Sequence, residues 1–207
     1  MNDNREKLLR WLQVLFYIHL AGVLLSVLAL ASTAFSFAVG IWSTWAQRAV
    51  SLGLAVCLYL LPGRYRYAGM VKALGLLCSL VSLVLFRLLY AYGVQIDAAV
   101  YGRVINWLSR GAMVLSIVAL CLEYTTHAQV VPADKTKWYI LLGCSLAVTM
   151  LSYATMYILQ PILQTMEMEE YLHFSKAWNV VVRSLGLVLS VANLVLLHRL
   201  VRHQEEV

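Results

Sequence analysis

The stretch TWAQRAVSLGLAVCLYLLPGRYRYAG (Thr44–Gly69) carries the features that decide the fold. From Ala49 to Leu61 no side chain is charged, after which Pro62-Gly63 breaks the run and Arg64 and Arg66 follow. A helix crossing a bilayer needs about 20 mostly apolar residues, because every backbone polar group in hydrocarbon must find its partner within the helix. The Pro-Gly pair marks a turn, and basic side chains beside a span are the mark of a cytoplasmic loop. One residue breaks the pattern. Arg48 lies about one turn inside the predicted span 43–61.

Working outward, the whole chain follows the same rule. An apolar content of 62%, a mean hydropathy of +0.77 and only 13% charged residues among 207 exceed what a water-soluble domain can hide. Six stretches meet the length requirement: 8–31, 43–61, 68–91, 104–123, 138–160 and 178–198. Between them lie LPGRYRYAG, YGVQIDAAVYGR and HAQVVPADKTK, which hold turn formers and charge and are too short for a soluble domain. The expectation is an all-α chain, one integral-membrane domain over residues 1–207, with six transmembrane helices in a compact bundle. Arg5, Lys7 and Arg10 before the first run, and the small residues Ala29 and Ala31 near its end, imitate a signal peptide. The run is longer than a signal core, so it reads as a retained first helix.

Orientation follows from the basic residues. Arg5, Lys7, Arg10, Arg64, Arg66, Lys72, Lys135, Lys137, Arg199 and Arg202 fall on one side, which is read as cytoplasmic together with both termini, in an inner or plasma membrane. Trp11 and Trp138 at inner helix ends, and Trp42, Trp45, Trp107 and Trp178 at outer ends, fit an aromatic belt. The net charge of +6 is accounted for by this topology and gives no support to a nucleic-acid partner. Cys57, Cys78, Cys121 and Cys144 all fall inside spans without a C-x-x-C pair and read as packing residues. Gly69-x-x-x-Ala73, Gly53-x-x-x-Cys57 and Gly186-x-x-x-Ser190 are candidates for close helix contacts.

Arg48 belongs to a recurring pattern. Trp45-x-x-Arg48 and Trp107-x-x-Arg110 share a spacing that puts ring and guanidinium on one helix face, and Arg183-Ser-Leu-Gly-Leu echoes the Ser-Leu-Gly-Leu that follows Arg48. The recurrence is compatible with three tandem helical hairpins. Arg48, Arg87, Arg110 and Arg183 all belong to the outer half, so they form a candidate ligand site: guanidinium groups bind carboxylate or phosphate bidentately. Arg110 and Arg183, read as the deeper pair, are expected to face the bundle interior, with Arg48 nearer the surface. Glu167, Glu169 and Glu170 in PILQTMEMEEYLHFSK (161–176) are a candidate acidic cap, and that segment reads as an outer, membrane-parallel helix.

Catalytic signals are sparse. Glu123 and His127 stand four apart at an inner helix end, without the second histidine of H-E-x-x-H, and Glu170-x-x-His173 lacks companion ligands. His19, well inside the first span, reads as a hydrogen-bonded core residue and not as a haem ligand. No catalytic residue, metal or cofactor is assigned. No carboxylate is expected mid-span, and P-loop, G-x-S-x-G and selectivity-filter patterns are missing from the sequence. In size and topology the chain resembles the substrate-binding subunits of energy-coupling-factor vitamin transporters, which implies a ligand entering from outside; the residues quoted above carry no motif of that group. The sequence therefore predicts a non-enzymatic multi-pass membrane protein, in lipid and in complex with another membrane protein. Binding or transport of a small anionic ligand or lipid through the outer arginines is the alternative, and an intramembrane enzyme or redox subunit the third reading.

Overall fold

The computed structural model describes residues 2–31, 37–92, 98–158 and 168–206. Six α-helices make up almost all of this: α1 Asn2–Ala31, α2 Phe37–Leu60, α3 Tyr65–Tyr92, α4 Ala98–Val130, α5 Lys135–Ile158 and α6 Met168–Glu206, with one 3₁₀ turn at Pro132–Asp134. Stretches in α1, α3, α4 and α6 are long and apolar enough to cross a membrane: Glu6–Ala31, Tyr65–Leu85, Val100–Val130 and His173–Glu206. α2 adds the shorter apolar segment Trp45–Leu60. The protein is a helical-bundle membrane protein. Its outward faces carry the aliphatic surface that lipid requires, with Leu24, Leu28, Ile140 and Val188 all exposed.

Each helix packs on its neighbours in the chain, and α6 closes the ring against α1. The contact between α3 and α4 is the most extensive among the described residues, and that between α5 and α6 the slightest of the neighbouring pairs. A closed ring of six leaves room at its centre.

The buried core gathers at the end of the bundle that carries both termini. Leu12 and Leu15 of α1, Leu58 and Leu61 of α2, Tyr65 and Ala68 of α3, Ala128 of α4, Trp138 of α5 and Leu197 and Leu200 of α6 form one cluster there. Polar contacts tie the same end: Gln13 Nε2 donates to Glu205 Oε1 at 3.1 Å, and Arg64 Nη1 to Gln129 Oε1 at 3.4 Å. The turn between α2 and α3 is set by Gly63, whose φ of 73° lies in the left-handed region that glycine enters without penalty. Gly69 then lets α3 approach α2 closely. A Cβ there meets the Tyr59 backbone nitrogen and lies 2.7 Å from the Ala55 carbonyl oxygen, so only glycine fits. Of the other two expected contacts, Gly53 makes an ordinary approach to Ile18 and Gly186 has nothing within 4 Å.

Several boundaries differ from expectation: α1, α2 and α4 each begin six residues earlier, and α4 and α6 also extend further at their other ends. α4 continues about two turns past residue 123, to Val130, so Glu123 stands within the helix. Residues 168–176 belong to α6 itself and not to a separate membrane-parallel helix; residues 161–167 lie outside the described chain. At 39 residues α6 is about 58 Å long, roughly twice the hydrocarbon thickness, so part of it stands clear of the membrane.

Candidate functional site

Two polar regions lie inside the bundle. The first is a buried network centred on Glu123, which is 1% exposed. Lys72 of α3 places its Nζ 3.3 Å from Glu123 Oε2, and His19 of α1 places Nε2 3.3 Å from Oε1. His127, one turn along α4, has Nε2 3.9 Å from the same oxygen. The network extends both ways: the Tyr65 hydroxyl meets His127 Nδ1 at 2.9 Å, and Asn193 Nδ2 of α6 donates to His19 Nδ1 at 3.4 Å. Trp138 stacks on the His127 ring, centroids 4.5 Å apart. Side chains from α1, α3 and α4 thus meet at one carboxylate, and Asn193 of α6 joins through His19. A buried charge is tolerated only when paired and hydrogen-bonded, and Lys72 with His19 meets that condition.

The expectation is of no carboxylate mid-span; Glu123, the last residue of the predicted fourth span, stands inside α4 about two turns from its end and is buried in the bundle. The local signals point elsewhere: Lys72 counts among the cytoplasmic-side cations although it falls within the predicted third span, Glu123 and His127 look like a helix end, and nothing in its sequence neighbourhood marks Asn193. Hydropathy ends the fourth span at Glu123, where charge begins, although the helix itself continues to Val130.

The second region is a cavity of about 310 Å³ among α2, α3, α4 and α5. Arg48 lines it with Ser79, Ser82, Tyr101, Ser109 and Tyr153. Arg48 is half-buried, and its Nη1 and the Tyr101 hydroxyl are both shielded from solvent without a hydrogen-bond partner among the described residues. Trp45 is exposed, so the Trp45–Arg48 pair divides between the outer face and the interior instead of acting together.

The remaining sequence-selected residues are placed as follows. Arg110 and Arg183 are exposed and do not line this cavity, which reverses the expected order of depth: Arg48 turns inward and the other two outward. Arg110 directly follows the cavity-lining Ser109, and the rotation of about 100° between consecutive helix residues is enough to take it off the cavity face. Arg87 lies on α3 and Glu169 on α6, with side chains outside the described set, and Glu167 lies outside the described residues. Glu170 is exposed near the start of α6, as is His173. Among the described residues no cluster of three or more His, Cys, Asp or Glu has the arrangement of a metal site.

The fold and these two polar regions define the class as a multi-pass helical membrane protein with a polar interior. No protein family, curated protein or solved structure matches the chain, so the likeness to vitamin-transporter subunits rests on size and topology alone.

Proposed function

We propose that the protein is a non-enzymatic, six-span membrane protein with both termini cytoplasmic, serving as the ligand-holding component of a membrane complex, and that Arg48 binds a carboxylate or phosphate group. The observation that carries this reading is the solvent-shielded Arg48 Nη1 facing a cavity with the Tyr101 hydroxyl, neither having a partner among the described residues. A guanidinium nitrogen at this depth needs an acceptor, and lipid chains provide none. Ser79, Ser82 and Ser109 add hydroxyls that can complete the coordination of an anion's oxygens.

The test is to purify the full chain in native lipid, as wild type and as Arg48→Leu, and identify the anionic species held by each with native mass spectrometry. Retention of inorganic phosphate or a soluble carboxylate by the wild type indicates a diffusible ligand, and retention of an anionic phospholipid indicates a headgroup. Either is expected to be lost from Arg48→Leu with helical content intact. Equal retention by both proteins refutes the reading.

A further inference from the structure

The centre of the helix ring holds a second cavity, of about 480 Å³, lined by α1, α2, α4, α5 and α6. Its polar lining is made by His19, Gln47, Tyr124 and Asn193 with the hydroxyls of Ser26, Ser51, Ser145, Thr149 and Ser190, and none of its lining residues is Lys, Arg, Asp or Glu. Four of the six lining hydroxyls have their protons committed to their own helix. Ser26 donates to the Gly22 carbonyl at 2.9 Å, Ser51 to Gln47 at 2.9 Å, Thr149 to Ser145 at 2.8 Å and Ser190 to Gly186 at 2.8 Å. A hydroxyl whose proton is spent on its own helix offers the cavity only lone pairs.

The orientation of Asn193 follows from the Glu123 network. A carboxylate paired with Lys72 only accepts, so the proton on the His19 ring sits on Nε2, facing Glu123 Oε1 at 3.3 Å. His19 Nδ1 then carries a lone pair and takes a proton from Asn193 Nδ2 at 3.4 Å. That fixes the amide with Oδ1 free to accept. Asn193 is 4% exposed, it lines the cavity, and Oδ1 has no hydrogen-bond partner among the described residues. An acceptor buried without a donor carries the cost of its lost hydration until something supplies one. Apolar lining from Val23, Leu54, Leu120 and Leu189 suits the C–H faces of such a ligand.

We infer that this central cavity binds a small neutral solute rich in hydroxyl donors, of the polyol class, with Asn193 Oδ1 as its principal contact and His19 as the positioning residue that fixes the Asn193 amide. Neutrality follows from a lining without formal charge and from the pairing of Glu123 with Lys72 behind His19. The site is independent of Arg48, which lines the other cavity.

The experiment is calorimetric titration of the full-length protein in nanodiscs with glycerol, erythritol, inositol and glucose, and with acetate and tetramethylammonium as charged probes. Saturable binding of at least one polyol is expected, stronger than that of either charged probe. Asn193→Leu weakens it about tenfold, the equivalent of one good hydrogen bond, and Asn193→Gln retains most of it. His19→Leu weakens it as well. His19→Gln restores it, since the glutamine amide both donates to Glu123 and accepts from Asn193. Ser190→Ala, which deletes one acceptor without opening a large hole, is expected to weaken binding and serves if Asn193→Leu fails to fold. Arg48→Leu leaves polyol binding unchanged, which separates this site from the anion reading. Failure of all four polyols to bind, preference for a charged probe, or unchanged affinity in folded Asn193→Leu or Ser190→Ala overturns the inference.

Discussion

Replacing Lys72 with Met probes the Glu123 network most directly, because the two charges are buried unequally. Glu123 is 1% exposed, while Lys72 keeps 24% of its side-chain surface accessible. In Lys72→Met the carboxylate keeps His19 at 3.3 Å and the more distant His127 at 3.9 Å but loses its only close cation among the described residues. Stranding one member of a buried pair costs about 3–5 kcal/mol in soluble proteins. Helices that separate while still in the membrane find other polar partners, which lowers the expectation here to about 2–3 kcal/mol. Glu123→Leu behaves differently: the part-exposed lysine swings toward water, and what remains is an unsatisfied His19 N–H, costing about 1 kcal/mol. The double variant Lys72→Met/Glu123→Leu carries only that second cost. It is therefore expected to be about 1–2 kcal/mol more stable than Lys72→Met alone, a gain on adding a second mutation. Reversible unfolding in mixed micelles over a range of denaturing detergent measures all four corners of the cycle. Additivity of the two single effects to within about 0.5 kcal/mol means the charges do not depend on each other and refutes the argument.

Further expectations concern other parts of the bundle. Gly69→Ala forces a Cβ into the α2 backbone at Tyr59 and Ala55 and is expected to cost about 1–3 kcal/mol, whereas Gly186→Ala, with open space around it, stays within about 0.5 kcal/mol of wild type in the same unfolding assay. Tyr65→Phe removes the 2.9 Å contact with His127 and is expected to lower stability by about 1 kcal/mol; no change shows that the hydroxyl is not holding the ring. Arg110→Leu and Arg183→Leu, both at exposed positions, leave any anion retained by the wild type in place, and its loss from either makes that arginine part of the site. A single cysteine at the exposed position Ala133, on a cysteine-free background, is labelled by an impermeant reagent only after cells are opened; labelling of intact cells reverses the proposed topology.

The sequence by itself determined the class of protein and most of its layout. Hydropathy and turn residues act locally, so Pro62-Gly63, the basic loops and the apolar runs place all six helices, with half of the twelve ends within three residues and the others six to ten residues away. The same locality limited the reading. Arg48, Arg110 and Arg183 look alike along the chain, and only the rotation of each helix against its neighbours turned Arg48 into a cavity and left the other two exposed. The Glu123 network joins residues far apart in sequence, His19 and Glu123 being 104 positions apart and His19 and Asn193 174. No spacing rule relates such residues, because their meeting depends on closure of the helix ring. Glu123 shows the physical reason most clearly. A charge beside an apolar run looks like the end of a span when hydration is the only available partner, and tertiary structure supplies another in Lys72 and His19, so the helix carries the charge on into the protein.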